Sequence, residues 1–337
     1  MKNVLVIPVF IPHRGCPHDC LFCNQQEISG TKRQEKARVP VQEIIEEWLE
    51  HQGAREQVQV AFYGGSFTCL EREEQAALLQ AVQPFIAANK VHSIRCSTRP
   101  DCVDQAVCDH LRQYNVTTVE LGVQSLDDTV LQRSRRGHTA ADCEKAFRML
   151  KKDGIEIGIQ LMPGLPGDTI FSFLKTVEQV IGLGPDFVRI YPCLVVENSG
   201  LAQLYRQGGF LPLSLSKAIA LTAYSYEKFS RAGIGVIRMG LQPSTSLEKS
   251  LIAGPYHPAF GELVQSRLWL KQIRKQLAML QSGEVLEIHL SERDLSSMIG
   301  NRKQNMNRLE ELGFKNRFTL VVDRNMQRGC TEYVVSK

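Results

Sequence analysis

Six short β-rich runs alternate with helical periods in this chain, and that alternation restricts its fold more than any other feature. Val4–Phe10, Val58–Tyr63, Ser93–Ser97, Thr118–Val123, Glu156–Leu161 and Phe187–Tyr191 are rich in β-branched and aromatic residues and predict strands. Between them, Ile44/Trp48 and Ile45/Leu49, then Val103/Val107/Leu111/Tyr114, then Ile170/Leu174/Val177/Ile181 keep the three-to-four spacing of amphipathic helices. Thr139-Ala-Ala-Asp142 sets a capping hydroxyl before an acid in the first turn, which marks a helix start. Strand, loop and helix repeated six times predict a parallel sheet with helices outside it. Six units fall short of a closed eight-stranded barrel. The expected fold is therefore α/β, a partial (β/α)6 TIM-like barrel.

Such a sheet carries its chemistry on the loops that leave the C-terminal ends of its strands. The unusual residues fall there. After the first strand comes Cys16-Pro-His-Asp-Cys20-Leu-Phe-Cys23. Three closely spaced thiols can hold three irons of a 4Fe–4S cluster and leave the fourth iron open to another ligand. The same loop also suits zinc completed by His13 or His18, although structural zinc takes four ligands and no second CxxC exists. A disulfide framework is not expected. The remaining cysteines, Cys69, Cys96, Cys102, Cys108, Cys143, Cys193 and Cys330, are scattered without framework spacing and read as buried small hydrophobes in a reducing compartment.

The later loops continue the pattern. Gly64-Gly65 removes two side chains where a backbone could approach a ligand, or makes a tight strand-to-helix turn. Ser97-Thr-Arg-Pro-Asp101, Glu120-Leu-Gly-Val-Gln124-Ser125, Arg135-Arg136-Gly-His-Thr139 and Gln160-Leu-Met-Pro-Gly-Leu-Pro166-Gly167 follow. Polar groups at so many strand ends are costly in a barrel mouth unless they meet a polar ligand. Glu120 reads equally as a ligand contact or as part of an internal polar network.

Composition adds bounds. The chain has 337 residues and a formal charge of +4, which neither requires nor excludes a nucleic acid. Pro8 and Pro12 interrupt the N-terminal apolar run, so no secretory leader and no membrane span are expected, and the expected location is cytoplasmic. Beyond the barrel, expected over residues 1–240, residues 241–337 predict a helical extension and a small C-terminal α/β lobe. Its parts are Ser214–Arg231, Ala259–Leu280, a strand Val285–Leu290, a helix opening at Ser291-Glu-Arg-Asp294, and a strand Phe318–Val322. Lys32, Arg33, Lys36 and Arg38 form one basic patch. Arg302, Lys303, Arg308, Lys315, Arg317, Arg324 and Arg328 against Glu310, Glu311 and Asp323 form another, either a solvated face or a phosphate-binding surface. His257 lies in a Gly/Pro-rich stretch and reads first as a turn residue.

Taken in order, Cys16–Cys23, Phe62–Thr68, Ser97–Asp101, Glu120–Ser125, Arg135–Thr139, Leu161–Gly167 and Ile190–Phe210 resemble the radical-SAM core of the Elongator catalytic subunit family. More distantly, the core is similar to oxygen-independent coproporphyrinogen oxidase. The resemblance implies an enzyme that cleaves S-adenosylmethionine (SAM) with a 4Fe–4S cluster to release a 5'-deoxyadenosyl radical, most plausibly for transfer RNA or other RNA base modification. It implies Cys16, Cys20 and Cys23 as iron ligands, with Phe22 beside them in the signature. Gly64 and Gly65 would face the methionyl amine, Ser97 would be a polar SAM contact, Gln124 and Gln160 would face the ribose and adenosyl portion, and Arg136 would pair with the SAM carboxylate. It also implies an external electron donor such as a flavodoxin or ferredoxin. The resemblance does not extend to the Elongator acetyltransferase domain, so acetyl-CoA use is not expected. Ser66 stands where many radical-SAM enzymes keep a glutamate. A small-molecule substrate, and an iron–sulfur sensor or RNA-binding protein without turnover, are the competing readings.

Overall fold

The computed structural model describes Val4–Ile11, Cys16–Asn24 and Pro40–Ser336. His13, Lys32, Arg33, Lys36 and Arg38 lie outside those residues, so the first basic patch has no structural account. The chain divides into two compact units, residues 1–218 with 227–256, and residues 219–226 with 257–337.

The first unit is built on β1 (Val4–Phe10), β2 (Gln57–Tyr63), β3 (Ser93–Thr98), β4 (Val116–Gln124), β5 (Glu156–Leu161), β6 (Phe187–Ile190), β7 (Val195–Val196), β8 (Gly235–Met239) and β9 (Leu251–Ala253). Seven of these form one sheet in the order β1-β2-β3-β4-β5-β6-β8, and every pairing in it is parallel. Strands adjacent in sequence are adjacent in the sheet, as in a barrel. A doubly wound sheet would reverse its order midway. The six expected strands are present with boundaries shifted by a residue or two. The seventh, β8, went unread because Gly233 and Gly235 flank a short half-exposed run with no alternation. A short antiparallel pair, β7 with β9, lies apart from this sheet.

Helices between strands follow local signals. Thr139 and Asp142 make the expected capping box at the start of Ala140–Lys152, and Asp104 caps Gln105–Gln113 by accepting from Val107 N. The helix Ile170–Leu183 turns a different face inward than its spacing predicts. Phe173, Thr176, Val177 and Val180 are buried, whereas Phe171 is 85% exposed. Its apolar residues run nearly all the way round, so the sheet it packs on, not periodicity, selects the face.

Cys69 and Cys102 are joined by a disulfide with Cα atoms 5.3 Å apart, which corrects the reading of both as free thiols. Pairing of β2 with β3 brings the loops that follow them side by side, and a separation of 33 residues gave no spacing signal. Cys330 is exposed, which also departs from expectation, whereas Cys96, Cys108, Cys143 and Cys193 are buried. A cross-link closing a loop of that length is expected to contribute about 3–4 kcal/mol in the chain-entropy account. Cys69→Ser should lower the stability of the oxidised protein by that amount in urea unfolding and cost little in the presence of dithiothreitol. Equal unfolding midpoints of wild type and variant without reductant would contradict the cross-link.

The second unit carries β10 (Val285–Ser291), β11 (Phe318–Asp323) and β12 (Thr331–Ser336) in the order β11-β10-β12. Trp269, Ile273 and Leu277 of the helix Phe260–Leu277 pack with Leu286, Ile288 and Leu290 of β10, and with Met298 and Leu309 of two shorter helices. The expected strand, helix, strand pattern is there, with β12 added. No described helix is long and apolar enough to cross a membrane.

Candidate active site

The strand-end loops of the first unit enclose a cavity of about 300 Å³. Cys16, Cys20, Phe22, Cys23, Gly64, Gly65, Ser97, Gln124, Arg136 and Gln160 all line it. Residues spread over almost half the chain thus meet on one wall because a parallel sheet puts all its C-terminal loops on one side.

The cysteine loop is held by its backbone. Cys23 N donates to Cys20 O at 3.0 Å, Leu21 N to Ser134 O at 3.1 Å, and Leu201 N to Leu21 O at 2.6 Å. Leu21 and Phe22 pack against a cluster that includes Val130, Leu165, Val195 and Leu201. Cys20 is buried and Cys16 and Cys23 are half-buried. Among the described residues, no group of three His, Cys, Asp or Glu is gathered into a site for a metal ion. The three thiols instead share the cavity wall.

The glycine loop is fixed by Ile11 N, which donates to Tyr63 O at 2.8 Å. Gly64 has φ +100°, and a Cβ there would stand 2.7 Å from Ile11 O. Only glycine meets both demands. Thr68 ties this loop to β3, with its Oγ1 2.6 Å from Thr98 Oγ1.

Two guanidiniums converge on one sulfur. Arg136 Nη1 donates to Cys20 Sγ at 3.3 Å and Arg99 Nη1 at 3.6 Å. Arg136 Nη2 donates to Gly122 O at 2.6 Å, and a Cβ on Gly122 would stand 2.8 Å from that nitrogen. Arg99 is 2% exposed and forks onto Asp101 at 3.0 and 3.1 Å while also donating to Arg136 O. Burial alone would raise the Asp101 carboxyl, but hydrogen bonds from His138 and Arg99 outweigh it and hold the group well below the usual range. Burial, and then the charges of Arg136 and Arg99, push His138 downward, so it stays neutral at pH 7. Gln124, with φ +67°, accepts from Gln160 Nε2 at 3.1 Å. Arg136 Nε is buried with no partner among the described residues.

This donor set fits an iron–sulfur cluster and a SAM molecule. Hydrogen bonds to cysteinyl sulfur are among the groups that set a cluster's potential. The orphaned Arg136 Nε is a charged donor awaiting an acceptor such as a carboxylate. The other buried thiols are unsuited to such ligation. Burial pushes Cys193 up to about 12 and Cys108 up to about 11.

Sequence reasoning gave no role to Arg99, Tyr63, Arg189 or Tyr191, all of which line the cavity. Tyr63 and Arg189 carry a signal in principle, because the register sets Gln160 opposite Arg189 in the sheet. His257 accepts from Ala259 N at 3.0 Å, as its turn reading requires. Much of the second basic patch is occupied: Arg308 with Glu311, Arg324 with Glu292, Arg328 with Glu262 and Asp294, and Arg317 with two backbone carbonyls.

Residues 10–180, half of the chain, match the Radical SAM superfamily, and residues 185–269 match the Radical SAM C-terminal domain. A tRNA uridine(34) acetyltransferase of Methanocaldococcus infernus is 27% identical over 264 residues, covering 67% of this chain and 49% of that protein. Mouse Elongator complex protein 3 is 26% identical, with 66% and 49% covered. The chain thus spans about half the length of these curated relatives. The solved structure of the Methanocaldococcus infernus Elp3 with an N-terminal deletion superposes with a TM-score of 0.61 at 25% identity, over 82% of this chain and 64% of that one. Coproporphyrinogen III oxidase from Escherichia coli, at 19% identity and a TM-score of 0.50, shares the fold.

Proposed function

The chain belongs to the radical SAM superfamily, and from that premise we propose that it binds a 4Fe–4S cluster and SAM in this cavity to modify a uridine of transfer RNA. When bound, the cluster supplies the electron that cleaves the SAM sulfonium and yields a 5'-deoxyadenosyl radical. The observation that carries the reading is the meeting of three thiols of one loop with the polar strand ends in a single cavity.

Cys16, Cys20 and Cys23 would ligate three irons. Arg99 and Arg136 steady Cys20 by donating to its sulfur, and Asp101 in turn orients Arg99. Arg136 would receive the SAM carboxylate through its free edge, and the backbone at Gly64 and Gly65 would receive the amine. Ser97, Gln124 and Gln160 offer hydroxyl and amide groups to the ribose and adenine. Apolar Phe22, Met162, Leu194 and Val196 in the cavity wall keep water from the reacting centre. The electron would come from an external low-potential donor such as a flavodoxin or ferredoxin.

The RNA substrate is supported by the relatives, which are named for uridine modification in transfer RNA. Transfer RNA from a strain lacking the gene is expected to lose one modified uridine in a nucleoside digest analysed by mass spectrometry. The wild-type gene should restore it and the Cys20→Ala gene should not. An unchanged nucleoside profile would remove the RNA reading and favour a small-molecule substrate.

A further inference from the structure

Below the strand ends, the same cavity carries a charged cluster that the cofactor reading leaves unused. Glu120 of β4 is 4% exposed, and its Oε1 accepts from Arg95 Nη1 at 3.0 Å, Arg189 Nη2 at 3.0 Å and Tyr63 OH at 3.3 Å. Arg189 Nη2 also donates to Tyr63 OH at 3.1 Å, and its Nη1 lies 3.5 Å from Tyr191 OH. Tyr63, Glu120, Arg189 and Tyr191 face the cavity. Two features mark the cluster as incomplete. Glu120 Oε1 takes all three donors, leaving Oε2 without one among the described residues. Arg189 Nε is buried with no partner among them.

A ligand that completes this wall must bring acceptors to Arg189 and the tyrosine hydroxyls and a donor to Glu120 Oε2. A carboxylate or phosphate would satisfy the arginine but set negative charge against Oε2. An amine would do the reverse. A neutral imide meets both demands. Uracil presents O4 and O2 as acceptors with N3–H between them, whereas cytosine replaces O4 by an amino donor and N3–H by an acceptor.

We propose that Glu120, Arg189 and Tyr63 form a subsite that reads the O4, N3–H, O2 edge of a uracil base inserted into the cavity, with Arg95 as the positioning residue that holds Glu120. The subsite rests on the RNA reading of the cavity and narrows it to the base that is recognised. Sites built to hydrogen-bond a substrate edge reject analogues that leave their polar groups unpaired.

The test is equilibrium dialysis of radiolabelled uridine and cytidine against the cluster-loaded protein with SAM present. Wild type is expected to hold uridine at least tenfold more tightly than cytidine. Arg189→Gln should weaken uridine at least tenfold and bring the ratio of the two nucleosides towards one. Arg189→Lys, which keeps the charge beside Glu120 but loses the planar fork, should fall between. Should Arg189→Gln fail to fold, Tyr63→Phe, which removes one donor, is expected to reduce the uridine preference severalfold. Equal affinity of wild type for the two nucleosides, or an unaltered ratio in every folded variant, would overturn the subsite. A wild type whose cluster responds to SAM but which shows no uridine preference loses this subsite alone. A wild type with the preference and no response to SAM retains the subsite and loses the radical reading.

Discussion

Replacing Cys16, Cys20 and Cys23 with alanine is expected to take the anaerobically reconstituted protein from about four irons per chain to background, and to abolish release of 5'-deoxyadenosine from SAM. Cys20 should be the most sensitive single position. It is the buried thiol of the three, and its sulfur is the acceptor for both Arg99 and Arg136. Removing it leaves two buried guanidiniums each short of a partner, a cost added to the loss of an iron ligand. The check is iron quantitation with the absorption spectrum of the reconstituted protein. Full iron content in Cys20→Ala would contradict the ligand assignment.

Arg136→Ala should weaken SAM binding by roughly 1.5–3 kcal/mol, the usual loss for a charge-assisted pair, or about ten- to a hundredfold in Kd. Lysine should not restore it. The guanidinium already spends Nη1 on Cys20 and Nη2 on Gly122 O, and only a fork holds those contacts while still presenting Nε. The Gly122 backbone approach depends on the missing side chain, so Gly122→Ala should reproduce part of the loss. Unchanged SAM affinity in Arg136→Ala would remove the assigned role.

The sheet was legible because each buried parallel strand is a short continuous run of β-branched residues with a loop signal after it. The strands that escaped, β8 and β12, lie at sheet edges and are largely half-exposed or exposed, so burial did not write a pattern into them. The cavity wall was legible where chemistry is rare in sequence: three cysteines in eight residues, paired glycines, polar strand ends. It was illegible where function depends on register. Arg189 looks like any strand arginine until pairing of β4, β5 and β6 sets it across from Glu120. Arg99 looks like a loop cation until the fold buries it against Cys20. The Cys69–Cys102 pair is of the same kind, since only strand pairing makes the two thiols neighbours.

The central claim, that this cavity holds a cluster with one iron open to SAM, is tested most directly by electron paramagnetic resonance of the reduced, reconstituted protein with and without SAM. The account predicts a 4Fe–4S signal that shifts when SAM is added, and no such signal in the triple cysteine variant. Stoichiometric zinc with no iron after anaerobic purification, or a cluster signal indifferent to saturating SAM, would contradict it.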